Sequence, residues 1–155
     1  MGELKLVVAS AAEKNNGVVG NPLSAVAEIL ARTTRVRVYH SGVPGQLARK
    51  RRDRPPVLAD HHGTDALNQL RAALMLRPDT AVAALMCRPD LWLELLGHDN
   101  ARLTTIGLLH SGWLRYEPYG DLQLHERTRI VHWLNRWAPE AAATIAGGVA
   151  LIDRP

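Results

Sequence analysis

Apolar positions recur at two spacings along this chain, every second residue in some stretches and every third or fourth in others. Leu4 to Ala9 is an apolar run with two adjacent valines and predicts a strand. Glu13 to Gly17 is a turn cluster. Asn21-Pro22 then opens a helix, with Asn as N-cap and Pro at the first helical position. Leu23, Val26, Ala27 and Leu30 give that helix one apolar face, and Thr33-Thr34 ends it. Arg35 to Tyr39 alternates basic and apolar residues, the pattern of a strand with one buried face. Ser41 to Pro56 reads as a loop, and Val57 to Ala59 as a third short strand closed by Asp60 to Gly63.

From Thr64 the spacing turns helical. Thr64 caps a helix carrying Leu67, Leu70, Leu74 and Met75, and Arg77-Pro78-Asp79 breaks it. Thr80 opens a second piece to Cys87, and Asp90 a third to Leu96, with Arg88-Pro89 between them. Asn100 caps a helix to Ser111. Gly112 to His125 reads as a two-stranded hairpin, or as a loop in which Gly120 to Trp137 is one longer helix. Glu126 to Trp137 is helical and Ala138-Pro139 stops it, with Val149 to Ile152 as a final strand. The expected class is α+β in a single domain over 1–155. A small β-α-β portion with a basic loop covers 1–63, and a mainly helical portion covers 64–155.

Composition removes several function classes. The single Cys87 excludes an intramolecular disulfide and a zinc site of several cysteines. No stretch approaches the roughly 20 apolar residues of a membrane span, and the run after Glu3 is too short for a signal peptide. The expected location is the cytoplasm, with no membrane partner. The abundance of Ala and the excess of Arg over Lys fit a GC-rich, bacterial coding sequence. Net charge is +4, and Arg32 to Arg54 alone holds eight cations against Asp53.

The order helix, hairpin, helix over Asn100 to Trp137 resembles the second half of a winged-helix domain, a DNA-binding fold. Ser111-Gly112-Trp113-Leu114 is similar to that family's step from helix end to strand. The resemblance implies a helical trio over 65–76, 80–96 and 100–111, with the third helix in the major groove and the hairpin on phosphate. Leu103, Ile106 and His110 would then face the core. Asn100, Arg102 and Thr105 would face the groove, and Arg115, Tyr116 and Tyr119 would lie near the wing. The alternative is a helical domain in which Trp113, Trp133 and Trp137 are only core. An apolar helix, a Tyr-Pro-type turn and the closing Trp137-Ala138-Pro139 are also similar to small proteins of plasmids and integrative elements. That second resemblance supplies no activity.

Arg49, Lys50, Arg51, Arg52 and Arg54 suit phosphate contacts, or else form a solvated loop. RNA is a second nucleic-acid partner, although Tyr39 is the only stacking residue near that segment. Asp60-His61-His62 resembles the DHH motif of metal-dependent phosphoesterases. That family also needs spaced upstream carboxylates, and the acids before Asp60 are only Glu3, Glu13, Glu28 and Asp53. The tripeptide is therefore read as chance, with no metal site. Gly17 to Ser24 lacks the Lys of a phosphate loop, no Gly-x-Ser-x-Gly elbow occurs, and Cys87 reads as a buried apolar residue. The leading expectation is non-catalytic nucleic-acid binding, DNA first, with no cofactor. The rival is a protein-interaction module or accessory subunit presenting the Trp-rich helix, and a metal-dependent phosphoesterase comes third.

Overall fold

The computed structural model describes residues 21–40, 56–109 and 112–144. Helix α1 (Pro22–Arg32) leads into β1 (Arg35–His40), and β2 (Val57–His61) into α2 (Thr64–Ala73). Four strands follow: β3 (Leu91–Leu96), β4 (Arg102–Leu109), β5 (Trp113–Tyr116) and β6 (Gly120–Gln123). Helices α3 (Arg127–Trp137) and α4 (Pro139–Thr144) complete the described residues. The strands form one six-stranded sheet in the order β2-β1-β3-β4-β5-β6, with every neighbouring pair antiparallel. Strands from both halves of the sequence therefore share one sheet.

Strand alternation sorts the side chains into two faces. Val36 and Val38 of β1, Leu91, Leu93 and Leu95 of β3, and Ile106 and Leu108 of β4 lie on the helix-covered face. Leu114 of β5 and Leu122 of β6 continue that face, and all nine side chains are buried. The register stacks Val38 on Leu93 and Leu93 on Ile106, so the core runs across the strands as rows. Val26, Leu30, Leu67, Leu70, Ile130, Trp133 and Leu134 close the core from the helices. Each such fully buried apolar side chain contributes about 1.5–3 kcal/mol.

The start of α1 follows its sequence signal. Asn21 Oδ1 accepts from the Ser24 N–H at 2.8 Å, and Pro22 occupies the first turn. Its end is capped from another helix. Arg71 of α2 donates to the Leu30 and Thr33 carbonyls at 2.9 and 3.0 Å.

The mainly helical remainder expected after residue 64 is a correction. Leu91–Leu96 and Arg102–Leu109 are strands, and Ala81–Cys87 is irregular apart from an isolated bridge at Ala83. The helical trio on which the winged-helix likeness rested is absent from these residues. Leu91–Leu96 is buried on both sheet faces, so it reads as an apolar run broken only by Glu94 that looks equally like a helix. Asn100 is a turn residue and not a helix cap. It and Asp99 have φ of 57° and 59°, a left-handed pair that joins β3 to β4. The expected strands at Leu4–Ala9 and Val149–Ile152 lie outside the described residues. The hairpin expected at Gly112–His125 is present as β5 and β6.

Residues 76–85 run along the outer edge of β6. Leu76 bridges Leu124 and Ala83 bridges Asp121, with Ala83 and Asp121 exchanging N–H to carbonyl bonds at 3.0 and 2.8 Å. The chain then crosses the second sheet face toward β3. Asp121 fixes that crossing: its carboxylate is 1% exposed and accepts from Leu85 N–H at 2.7 Å and from Arg115 Nε at 2.7 Å. Arg115 Nη2 in turn donates to the Leu85 and Cys87 carbonyls at 2.9 and 3.0 Å.

Candidate nucleic-acid interface

Eleven arginines stand against eleven carboxylates among the described residues, so these together are neutral with His uncharged. The balance is uneven in space. From Gln123 to Trp137 the chain holds His125, Arg127, Arg129, His132 and Arg136, with Glu126 as the only acid. Helix α3 turns this composition into a surface. Ile130, Val131, Trp133 and Leu134 are buried, and Trp133 Nε1 donates to the Ala66 carbonyl at 2.8 Å. The opposite side exposes Thr128, Arg129, His132, Asn135 and Arg136. Arg129, His132 and Arg136 are three and four residues apart and form one stripe.

Two concave surfaces flank this stripe. A groove of about 280 Å³ between α2 and α3 is lined by Gln69, Ala72, Ala73, Arg129, His132, Trp133 and Arg136. A cleft of about 240 Å³ at the start of α3 is lined by Arg77, Gly112, Trp113, Gln123, His125 and Arg127, with Leu124. Arg129 is 42% exposed and bonds Glu126 through Nε and Nη2, each at 3.2 Å, an exposed pair that leaves it accessible. The Arg136 guanidinium lies 5.1 Å from the Trp137 ring centre, which fixes its planar head at the surface.

The residues singled out from the sequence do not converge on one site. Arg49, Lys50, Arg51, Arg52 and Arg54 lie outside the described residues, but their anchors His40 and Pro56 do not. Those anchors are at the end of the sheet where β4 turns into β5, but on β1 and β2, across the sheet from β6, which leads into α3. Asn100 and Arg102 are at the opposite end, in the turn from β3 to β4 and at the start of β4. Asn100 Oδ1 accepts from Arg35 at 3.1 Å, and Arg102 is exposed. Thr105 lies mid-strand across from Glu94. Arg115 is engaged with Asp121 beneath the sheet. Sequence reasoning missed Arg129, His132 and Arg136, although their spacing on a helix read correctly was the signal that could have found them.

A second polar cluster occupies the sheet face opposite the helices. Arg35 grips Asp60 with Nε to Oδ1 at 2.7 Å and Nη2 to Oδ2 at 2.6 Å, and its guanidinium holds the Asp60 carboxyl below its ordinary range. Arg37 stands between Asp60 at 3.4 Å and Glu94 at 3.6 Å, and Tyr39 Oη donates to Glu94 at 3.1 Å. Burial and then the Glu94 charge push the Tyr39 phenol up. These groups satisfy one another and present no activated nucleophile, which makes the ladder a stabilising cross-strand network.

Asp60 and His61 point to opposite faces. Among the described residues no group of three His, Cys, Asp or Glu is placed to hold a metal ion. No helix among them is long and apolar enough to cross a membrane. The tryptophans of α3 are not its free surface: Trp133 is 2% exposed, and Trp137 is half-buried with Nε1 donating to Gln69 at 2.9 Å. No family model, curated protein or solved structure matches the chain.

Proposed function

We infer that the protein binds nucleic acid without catalysing a reaction on it, holding the sugar–phosphate backbone against the outer face of α3. One observation carries this reading: a set of described residues that is neutral as a whole exposes Arg129, His132 and Arg136 as a single stripe, on a helix without a carboxylate of its own. Arginine forks match phosphate oxygens, and a stripe of them tracks a backbone. Arg49, Lys50, Arg51, Arg52 and Arg54, in the segment between β1 and β2, add phosphate contacts.

A salt-titrated binding assay with DNA and RNA oligonucleotides tests it. Every cation withdrawn from a phosphate should flatten the salt dependence by about 0.9 of a log unit on duplex DNA. Replacing Arg129 and Arg136 together by Ala should withdraw about two such cations. Replacing Arg49, Lys50, Arg51 and Arg52 should withdraw more, for every sequence alike. Wild-type protein that fails to bind any oligonucleotide at low salt ends the reading.

A protein-interaction module is the second reading, favoured by an apolar groove of about 400 Å³ between α1 and α2. Leu23, Val26, Leu30, Leu74 and Met75 line it, and Met75 is 51% exposed. Ala31→Trp would fill this groove and separates the two readings, since it should leave nucleic-acid binding unchanged.

A further inference from the structure

The cleft at the start of α3 has a composition that backbone contacts alone do not need. Its half-buried Trp113 lies beside Gln123, its register partner across β5 and β6, and both are bordered by Arg77, His125 and Arg127. An indole offers a flat π surface, and a primary amide offers a donor and an acceptor side by side. The two arginines beside that pair would accompany a phosphate. We propose that this cleft takes one unpaired nucleotide, the base stacked on Trp113 and hydrogen-bonded by Gln123, with its phosphate between Arg77 and Arg127. The target is therefore a single strand or an unpaired loop, and not a continuous duplex. This rests on the nucleic-acid reading above and narrows it.

Size and access support the choice. A cleft of about 240 Å³ falls below the roughly 300–1,000 Å³ of drug-sized sites and suits one base. A base inside a duplex is stacked on its neighbours and cannot enter, whereas an unpaired one is free to stack on protein. The cleft also has a built floor. Gln123 has its backbone fixed, the N–H by Thr80 Oγ1 at 2.7 Å and the carbonyl by Arg77 N–H at 3.0 Å. Gly112, with φ of +89°, leaves room for the Arg127 stem, which a Cβ there would meet at 3.1 Å. Thus the backbone of 112 positions the arginine that borders the base.

The test uses the full chain with a fluorescent oligothymidylate and a duplex of the same length, read by anisotropy at one salt concentration. Wild type should prefer the single strand. Trp113→Leu should weaken single-strand binding by about 5- to 150-fold, the range for one stacked base, and leave duplex binding unchanged. Trp113→Tyr should restore most of the loss, because a phenol still stacks. Gln123→Ala should weaken the single strand without the packing change that Trp113→Leu risks, and so decides the matter if that variant does not fold. Equal binding of single strand and duplex by wild type overturns the proposal. So does wild-type affinity in both Trp113→Leu and Gln123→Ala. If these results occur while the Arg129 and Arg136 double variant weakens all binding, the cleft proposal falls and the backbone reading stands. If wild type binds neither oligonucleotide, both fall.

Discussion

Asp60 and His61 are neighbours in sequence and face opposite sides of the sheet. Asp60 accepts from Arg35 on the ladder face, while His61 Nε2 meets the Trp137 carbonyl on the helix face, edge-on to Trp133 and Trp137. Strand alternation alone forbids them from ligating one ion. His61→Ala should therefore loosen the end of α3. The expected loss is about 1–3 kcal/mol in urea unfolding, from the packing and hydrogen bond removed, with no dependence on added divalent ions. A metal-dependent difference between variant and wild type would contradict it.

The Asp60 carboxyl is held below its ordinary range first by hydrogen bonds from Arg35. Its folded pKa is lower than its unfolded one, so its contribution is present above the ordinary carboxylate range and fades as pH falls through the folded value. Asp60→Asn should destabilise the protein near neutral pH and make little difference in strong acid. Denaturation midpoints of the two proteins, compared across that span, should converge at low pH.

All three tyrosines of the chain have phenols pushed above the ordinary value of 10.0, with burial the largest cause for each. A raised folded pKa gives stability that is complete below about pH 10 and lost as pH rises through the folded values. Tyrosinate absorbance in an alkaline titration should accordingly appear together with loss of the helical signal. Ionisation well before unfolding would show that Tyr39, Tyr116 and Tyr119 are open to water.

Gly107 accommodates the crossing segment. A Cβ at this position would lie 2.7 Å from Pro89 Cγ, closer than such contacts allow, and 3.2 Å from Trp92 Cζ3. Gly107→Ala should cost about 1–3 kcal/mol by overpacking, measurable as a lower urea midpoint.

Asp121→Ala should cost more. It strands the Arg115 guanidinium and the Leu85 N–H together, and breaking a buried pair costs about 3–5 kcal/mol. The side chain of Arg115 is 23% exposed, which places the expected loss near the lower bound. A midpoint within error of wild type would show that water replaces the carboxylate.

Where local signals and tertiary context agree, the chain is legible. The Asn21-Pro22 start, the alternation in Arg35 to Tyr39 and the apolar spacing in Arg127–Trp137 each describe a one-sided element and form as read, whereas the helix read from Thr64 begins after Gly63 without a side-chain cap and ends at Ala73, short of Leu74 and Met75. Leu91–Leu96 and Arg102–Leu109 are central strands with both faces buried along much of their length, so their periodicity is erased. Leucine favours helix locally, and only pairing with β1 on one side and β5 on the other decides for strand. Asp99-Asn100 compounds the error, since the same side chains that cap helices also tolerate left-handed turns. The α3 stripe was visible as spacing but carried no meaning until the neutrality of its surroundings was known.

The hold that β6 keeps on residues 76–85 has a consequence for the order in which the molecule can be made. Synthesis delivers that segment first, yet the strand that pins it ends at Gln123, almost forty residues later. Until the ribosome has released Gln123, residues 76–85 have no edge to lie along, Arg115 has no Asp121, and β5 is an unpaired border of the growing sheet. The same late event completes the Trp113 cleft, because Gln123 is one of its walls. A chain stalled or cut before β6 would thus expose an adhesive strand and lack the Trp113 cleft at once, coupling the integrity of the fold to the presence of that surface.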